Sequence, residues 1–289
     1  VNRAWFPVSL MPFSDHFQRD EQFLRLVHRE PDVDLVTVAL EIARDSEQNL
    51  DFAPSLNILH RAVSRLTHPV TQAGSDLEEI KLLVRYMTEE LCLHGEDSGL
   101  PDPDAHYIHN VLRNGRGIPI SLSVVYLHVA NELGIPLEPI CAPVRFLTRI
   151  NTDHGYLYID AFDQGRILDE PECIGLIRQL SGLPSSEVRR SLRRADERTV
   201  VIRMLQNLKT IFGRHEQWVD AWRVQCRLRM LNPGSWRERR DHAVITLRAG
   251  RYGEAIELLE QELKVCPGEE RPFLQNHLRQ ARKLLPGCN

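Results

Sequence analysis

The residues able to do chemistry cluster between positions 106 and 163. Ser121 and Ser123 open a long apolar segment, SLSVVYLHVANEL, and Cys141 precedes a short aliphatic run. A hydroxyl or thiol beside an imidazole, with a carboxylate to orient the ring, is the minimal unit of nucleophilic acyl transfer. His128 and His154 supply imidazoles and Asp160 a carboxylate, so Cys141, His154 and Asp160 form one conceivable triad. Each residue also has a plainer reading. Ser121 suits a helix cap or first turn, and Ser123 a small residue packed within a helix. Cys141 suits a buried small hydrophobe, His154 a solvated residue of the NTDHG turn, and His128 a hydrogen-bonded core histidine. His106 and His109, three positions apart, share a helix face but lack a third ligand, so a surface pair is expected rather than a metal site. No phosphate-cradling Gly-rich loop, GxSxG or HExxH occurs, and no cofactor is expected.

These groups need a scaffold, and hydrophobic period outlines it. DLVTVALEIARD, SLNILHRAVSRL and DLEEIKLLVRYMTEELCL repeat apolar residues at three- and four-residue intervals, so residues from about 17 to 94 read as helical, with Asp34, Ser55 and Asp76 as starting caps. HGEDSGLPDPD, residues 94–104, reads as a loop. AHYIHNVLRNGRG predicts a short helix ended by glycine, and Pro119 or Ser121 opens the next, apolar on most sides and central to a core. LEPICAPVRFLTRI, YLYIDAF and RILD then read as strands, with DQG as a hairpin turn. Helices followed by a small antiparallel sheet make an α+β domain.

At 289 residues and 42% hydrophobic content the chain can bury one large core or two ordinary ones. No apolar run reaches the roughly 20 residues that span a bilayer, and VNRAWFPVSLMPF lacks the pattern of a signal peptide, so a cytoplasmic address without membrane association is expected. Six cysteines, at 92, 141, 173, 226, 266 and 288, are scattered without zinc-type pairs and read as reduced and structural. Net charge is -4, but residues 178–289 hold 22 Lys and Arg against 13 Asp and Glu, whereas residues 1–177 hold 14 against 27. Nineteen of the 22 are Arg, a residue suited to forked contacts with carboxylates and phosphates. A solvated arginine-rich helical surface is the plainer reading, and no aromatic-interleaved basic strand accompanies it to favour nucleic acid.

SGLPSS, near residues 181–186, marks an expected linker between a domain at 1–180 and a helical region at 187–289. In that region Trp218, Ala221 and Pro233 are followed 34 residues later by Tyr252, Ala255 and Pro267. A 34-residue period is that of tetratricopeptide hairpins, in which small Ala permits close helix packing, an aromatic fills the space between helices and Pro stops the second helix. Such repeats are general binding scaffolds.

NVLRNGRGIPISLSVVYLHVANELGIP, VRFLTRI, YIDAFDQGRILD and NLKTIF, followed by a tetratricopeptide pair, resemble the SirB family in that order, over about residues 30–285. The resemblance implies a transglutaminase-like, cysteine-protease-like core and C-terminal tetratricopeptide repeats. Enzymes with this core use a Cys at the start of a buried helix, a His on the next strand and an Asp on the strand after. Gly117 and Gly134 bracket Pro119 in the frame where that Cys falls. A Pro-Gly-His-Phe-like strand entry corresponds to Pro143-Val144-Arg145-Phe146, which places Arg145 at the His position, and Asp160 in Asp160-Ala161-Phe162 keeps the Asp. Proline has no nucleophile, and Arg stays protonated at neutral pH.

The resemblance therefore implies a remnant site, with Arg145 and Asp160 as a buried ion pair in place of a proton relay. The expected function is non-catalytic binding of a protein or peptide partner, with Asn110, Arg116, Arg145 and Asp160 as cleft residues and the repeat region contributing carboxylate contacts. Asn110 could equally cap a turn, Arg116 be solvated and the pair at 145 and 160 hold the sheet together. The alternatives are a hydrolase or acyltransferase using Ser121 or Cys141, and a regulator that recruits nucleic acid through its arginines.

Overall fold

The computed structural model describes residues 17–96 and 102–285. The helices are α1 (Glu21–His28), α2 (Leu35–Ala43), α3 (Ala53–Thr71), α4 (Asp76–Arg85), α5 (Ile108–Asn114), α6 (Pro119–Glu132), α7 (Glu170–Ser181), α8 (Ser185–Ser191), α9 (Glu197–Arg214), α10 (Trp218–Leu231), α11 (Trp236–Arg248), α12 (Tyr252–Leu263) and α13 (Arg271–Leu284). The strands are β1 (His94–Gly95), β2 (Arg116–Gly117), β3 (Glu138–Ala142), β4 (Arg145–Thr152), β5 (Gly155–Asp160) and β6 (Arg166–Asp169). Contacts divide the described residues into Pro31–Met204 and a second unit made of residues 17–30 and 205–285. The α+β reading of the first part and the all-α reading of the second both hold.

In the 31–204 unit, β3, β4, β5 and β6 form an antiparallel meander, and β1 and β2 a short parallel pair. Alternation along β4 and β5 gives the sheet two buried faces. Phe146, Ile150 and Ile159 join the helical core around α6, whereas Leu147 and Tyr158 join a second cluster with Ile177 of α7 and Val188 of α8. α6 is buried at ten positions from Ile120 to Ala130, as a helix apolar on most sides must be. Arg149 fastens the second layer: it faces Glu138 across the ladder, pairs with its carboxylate at 2.5 Å, and donates to the Leu192 carbonyl at 2.9 Å.

Several local expectations are corrected. Asp34 does cap α2, accepting from Val36 N. Ser55, however, is buried within α3, where Asp51 accepts from Ala53 N instead, and Ser75 rather than Asp76 caps α4, with Asp76 as the first helical residue. Within the loop expected at 94–104, His94 and Gly95 form β1; residues 97–101 lie outside the described residues. SGLPSS does not separate two bodies. It joins α7 to α8, which share one core with the sheet, and the contact-based division falls at Met204, within α9. The cause is physical: Val188 and Leu192 need an apolar surface, and the sheet supplies it.

In the other unit, α10 packs on α11, α11 on α12 and α12 on α13. Ala221 and Ala255 are fully buried, where any larger side chain would push neighbouring helices apart. The arginines are not a uniformly solvated face. Arg239 pairs with Glu262 and Arg240 with Glu270, each at 2.9 Å, Arg229 donates to the Pro233 carbonyl, and Arg227 is wholly buried. Much of the basic charge is answered by this unit's own carboxylates.

No described helix is long and apolar enough to cross a membrane. Cys92, Cys141, Cys173 and Cys266 are free thiols; Cys288 and the N-terminal VNRAWFPVSLMPF lie outside the described residues.

Candidate functional site

Pro119 is the first residue of α6, the position where its missing N–H costs nothing and its fixed φ suits the helix. Arg145 begins β4 and Asp160 ends β5, and because these strands are antiparallel neighbours the two residues lie at the same end of the sheet. Arg145 Nε stands 3.4 Å from Asp160 Oδ2. Asp160 is fully buried, and its other oxygen accepts from Phe162 N at 3.1 Å and Asp163 N at 3.4 Å. Burial pushes the carboxyl above its ordinary range, while Arg145 and the two backbone donors pull it back. Neither Arg145 Nε nor Asp160 Oδ2 makes a well-oriented hydrogen bond among the described residues.

The guanidinium lies 4.5 Å over the Phe162 ring, and Phe162 is held in turn by Gly95, whose N–H donates to the Phe162 carbonyl at 3.1 Å. A Cβ at Gly95 would meet that ring at 2.7 Å, so only glycine lets it lie there. Gly95 pairs with Gly117, and a Cβ at Gly117 would meet Ser121 Oγ at 2.9 Å. A continuous chain of contacts therefore runs from Arg145 to the start of α6. Tyr126, one face of that helix, is fully buried, its hydroxyl pushed upward by burial and then by the charge of Asp160. Phe162 was visible in the sequence as part of the Asp-Ala-Phe segment; Tyr126, inside an apolar helix, carried no signal.

Asn110 and Arg116 gather elsewhere. Asn110 donates to Asp104 at 3.1 Å, and Asp104 and Arg116 line a cavity of about 310 Å3 with Asp102 and Asn114. Arg116 is exposed and lies 3.9 Å from Glu96.

The alternative nucleophiles are occupied or enclosed. Ser121 is fully buried; its Oγ accepts from Ile118 N at 3.0 Å and donates to the Ala105 carbonyl at 2.8 Å, so it fastens the start of α6 to the preceding turn. Ser123 is fully buried in the helix. Cys141 sits on β3 opposite Phe146, with its thiol pushed up by burial. His154 occupies the β4–β5 turn, and β5, which spans roughly 16 Å from Gly155 to Asp160 at the extended-strand rise, separates the two residues. The triad of Cys141, His154 and Asp160 is thereby excluded. His128 faces Asp34 at 3.8 Å, His109 faces Glu47 at 3.7 Å, and His106 Nδ1 meets the Asp102 carbonyl at 3.1 Å. His109 is buried, which corrects the expected surface pair. Among the described residues no three His, Cys, Asp or Glu side chains are placed to hold a metal ion.

A helix N-terminus abutting a strand pair that carries a basic residue and a buried Asp is the arrangement the resemblance implies for a transglutaminase-like core. The family model "Transglutaminase-like superfamily" matches residues 54–206, and "Tetratricopeptide repeat" matches residues 208–286. A UPF0162 protein of Xylella fastidiosa is 32% identical over 255 residues, covering 84% of this chain and 88% of that protein. Protein SirB1 of Salmonella typhimurium is 27% identical over 211 residues, covering 72% and 78%. F-box only protein 21 of Mus musculus is 47% identical over 81 residues, which are 25% of this chain and 13% of that protein. No solved structure matches significantly. The chain belongs to the SirB family of transglutaminase-like proteins with tetratricopeptide repeats.

Proposed function

We propose that this SirB-family chain is a non-catalytic protein-interaction module whose transglutaminase-like site serves recognition. The observation that carries the reading is the pair of Arg145 and Asp160 at 3.4 Å. A guanidinium that stays charged cannot accept a proton from a nucleophile, and Pro119 offers no nucleophile to deprotonate. What the pair does supply is a fixed cation beside an aromatic ring, suited to holding a partner's carboxylate or backbone carbonyl. Tetratricopeptide repeats, which commonly bind protein segments, support the same class of role, and the internal pairing of Arg239 and Arg240 argues against a nucleic-acid face. Asn110 and Arg116 belong to this proposal as a second contact point beside the 310 Å3 cavity. A reducing, cytoplasmic setting suits the scattered single cysteines.

The test has two arms. The chain is incubated with a fluorophosphonate and with an acyl-glutamine donor, and intact mass is measured. No covalent adduct and no amide turnover are expected; an adduct on Ser121 or Cys141 with turnover sinks the non-catalytic reading. Partner capture is then compared between wild type and an Arg145→Ala, Asp160→Ala double variant shown to be folded. Unchanged capture removes this cleft from the binding surface.

A further inference from the structure

A groove of about 890 Å3 lies where α3, the turn after α4 and the C-terminal end of α5 come together. Buried Leu66 and Leu112 and half-buried Ile58 and Tyr86 give it an apolar lining. Four exposed arginines edge it: Arg61 and Arg65, one turn apart on α3, then Arg85 and Arg113. None of the four has a carboxylate within 4.0 Å among the described residues, and Arg61 Nε donates only to the Asn57 carbonyl.

That concentration of cations runs against its surroundings. Residues 1–177 hold 27 acidic side chains against 14 basic ones, yet α3 contains no Asp or Glu at all. Arg61 and Arg65 sit at i and i+4, where like charges repel, and nothing on their helix offsets the repulsion. The contrast with the repeat helices is direct, since Arg239 and Arg240 there are each answered by a carboxylate. The wall of the groove is also irregular. Residues Tyr86–Glu90 form a π-helical turn, with Leu91 N donating to the Tyr86 carbonyl five residues back at 3.1 Å. Such turns insert an extra residue into a helix and recur at functional sites.

We propose that this groove binds an acidic peptide segment of a partner protein, an apolar side chain entering between Leu66 and Leu112 while flanking carboxylates engage Arg61, Arg65, Arg85 and Arg113. Charge complementarity selects the partner, and the apolar lining selects a peptide over a nucleic acid. Tyr86 is the one aromatic ring in the lining, so the groove offers no platform on which successive bases could stack, and its four arginines outnumber Glu89 and Glu90, which line it too. The inference goes beyond the function proposed above and does not depend on it, because none of these residues belongs to the site at Arg145 and Asp160.

The full chain is titrated into a fluorescein-labelled twelve-residue peptide of alternating Asp-Leu and Glu-Leu pairs, with anisotropy read at about 50 mM and about 300 mM salt. Wild type binds and weakens as salt rises. An Arg61→Glu, Arg65→Glu variant loses about tenfold or more in affinity, the Arg61→Lys, Arg65→Lys variant loses less, and Arg190→Glu, outside the groove, matches wild type. The double charge reversal is checked by its thermal midpoint; if it does not fold, Arg113→Glu on α5 carries the same test. The proposal is overturned if wild type does not bind, if charge reversal leaves affinity unchanged, or if Arg190→Glu weakens binding equally. It is also overturned if labelled single-stranded DNA of equal charge binds more tightly than the peptide and with the same sensitivity to Arg61 and Arg65.

Discussion

Asp20 and Arg227, 207 positions apart in the chain, meet in a hydrogen bond of 2.6 Å in which the arginine is wholly buried. Its guanidinium lies 4.1 Å from the Phe17 ring and 4.7 Å from that of Phe23, so a charged group inside the repeat unit is held by the Asp20 carboxylate and by aromatic faces. α1 thereby becomes part of the C-terminal unit although the 31–204 unit separates them in sequence. Removing one partner of a buried ion pair weakens the hold on the other and is destabilising, by up to about 3–5 kcal/mol. Asp20→Ala is expected to lower amide protection in α1 and α10 by hydrogen exchange while leaving the β4 and β5 ladder unchanged. Wild-type protection in α10 would reject this account.

The same physics operates at Arg145 and Asp160. Arg145→Met should destabilise the chain by about 3 kcal/mol because it strands a fully buried carboxyl. With the guanidinium gone the carboxyl rises further above its ordinary range, so the folded state holds a proton that the unfolded chain has released. The variant's stability therefore falls as pH rises from about 4 toward 7. Adding Asp160→Asn should recover part of the loss and flatten the pH profile. Denaturant midpoints across pH read both effects, and a flat profile for the single variant would count against a buried ionisable Asp160.

Val144 carries a φ of +58° in the turn between β3 and β4, and is 56% exposed. A β-branched residue in the left-handed region is strained, and its exposure means that little packing is lost on removal. The resemblance places glycine at this position. Val144→Gly is expected to raise stability by about 1 kcal/mol, seen as a higher thermal midpoint. A lower midpoint would show that the side chain contributes more than its backbone strain costs.

His242 is buried in α11, and burial, with Arg229 and Arg251 adding repulsion, pushes its imidazole down to about 3. The unfolded chain takes up this proton near pH 6.5 and the folded chain does not, so stability is full above about 6.5 and declines as pH falls toward 3, by roughly 1.4 kcal/mol per unit. Trp218, Trp222 and Trp236 all lie in α10 and α11, so with Trp5, which lies outside the described residues, replaced by Phe, tryptophan fluorescence in urea follows this unit. His242→Gln should flatten the acid limb. An equally steep acid limb in that variant would assign the pH dependence to other groups.

The legible parts of this molecule are those governed by local pattern. Ala221 and Ala255, spaced 34 apart, announced helical hairpins because close packing tolerates only small residues there. Pro119 opens α6 as its fixed φ suits, and motif position alone sets Arg145 beside Asp160, where the structure has them 3.4 Å apart. Two caps were misread by one to four residues, since Asp51 and Ser75 offer the same side-chain oxygen as their neighbours Ser55 and Asp76.

Partnerships between distant segments had no local signature. SGLPSS has a linker's composition, yet Val188 of α8 and Leu192 just after it pack on the second face of the sheet. Ser121 reads in sequence as a helix cap or first-turn residue with a nucleophile as the alternative, and the Ala105 carbonyl that takes its hydroxyl lies 16 residues away; His154 is close to Asp160 in sequence, but an extended strand holds them apart. By itself the sequence determined helix and strand periods and repeat spacing, and it places Pro119 and Arg145 in the frame where the resemblance implies a Cys and a His. Only the tertiary structure decided which charges are answered and which are left facing a groove, because that depends on burial and on contacts between residues far apart in the chain.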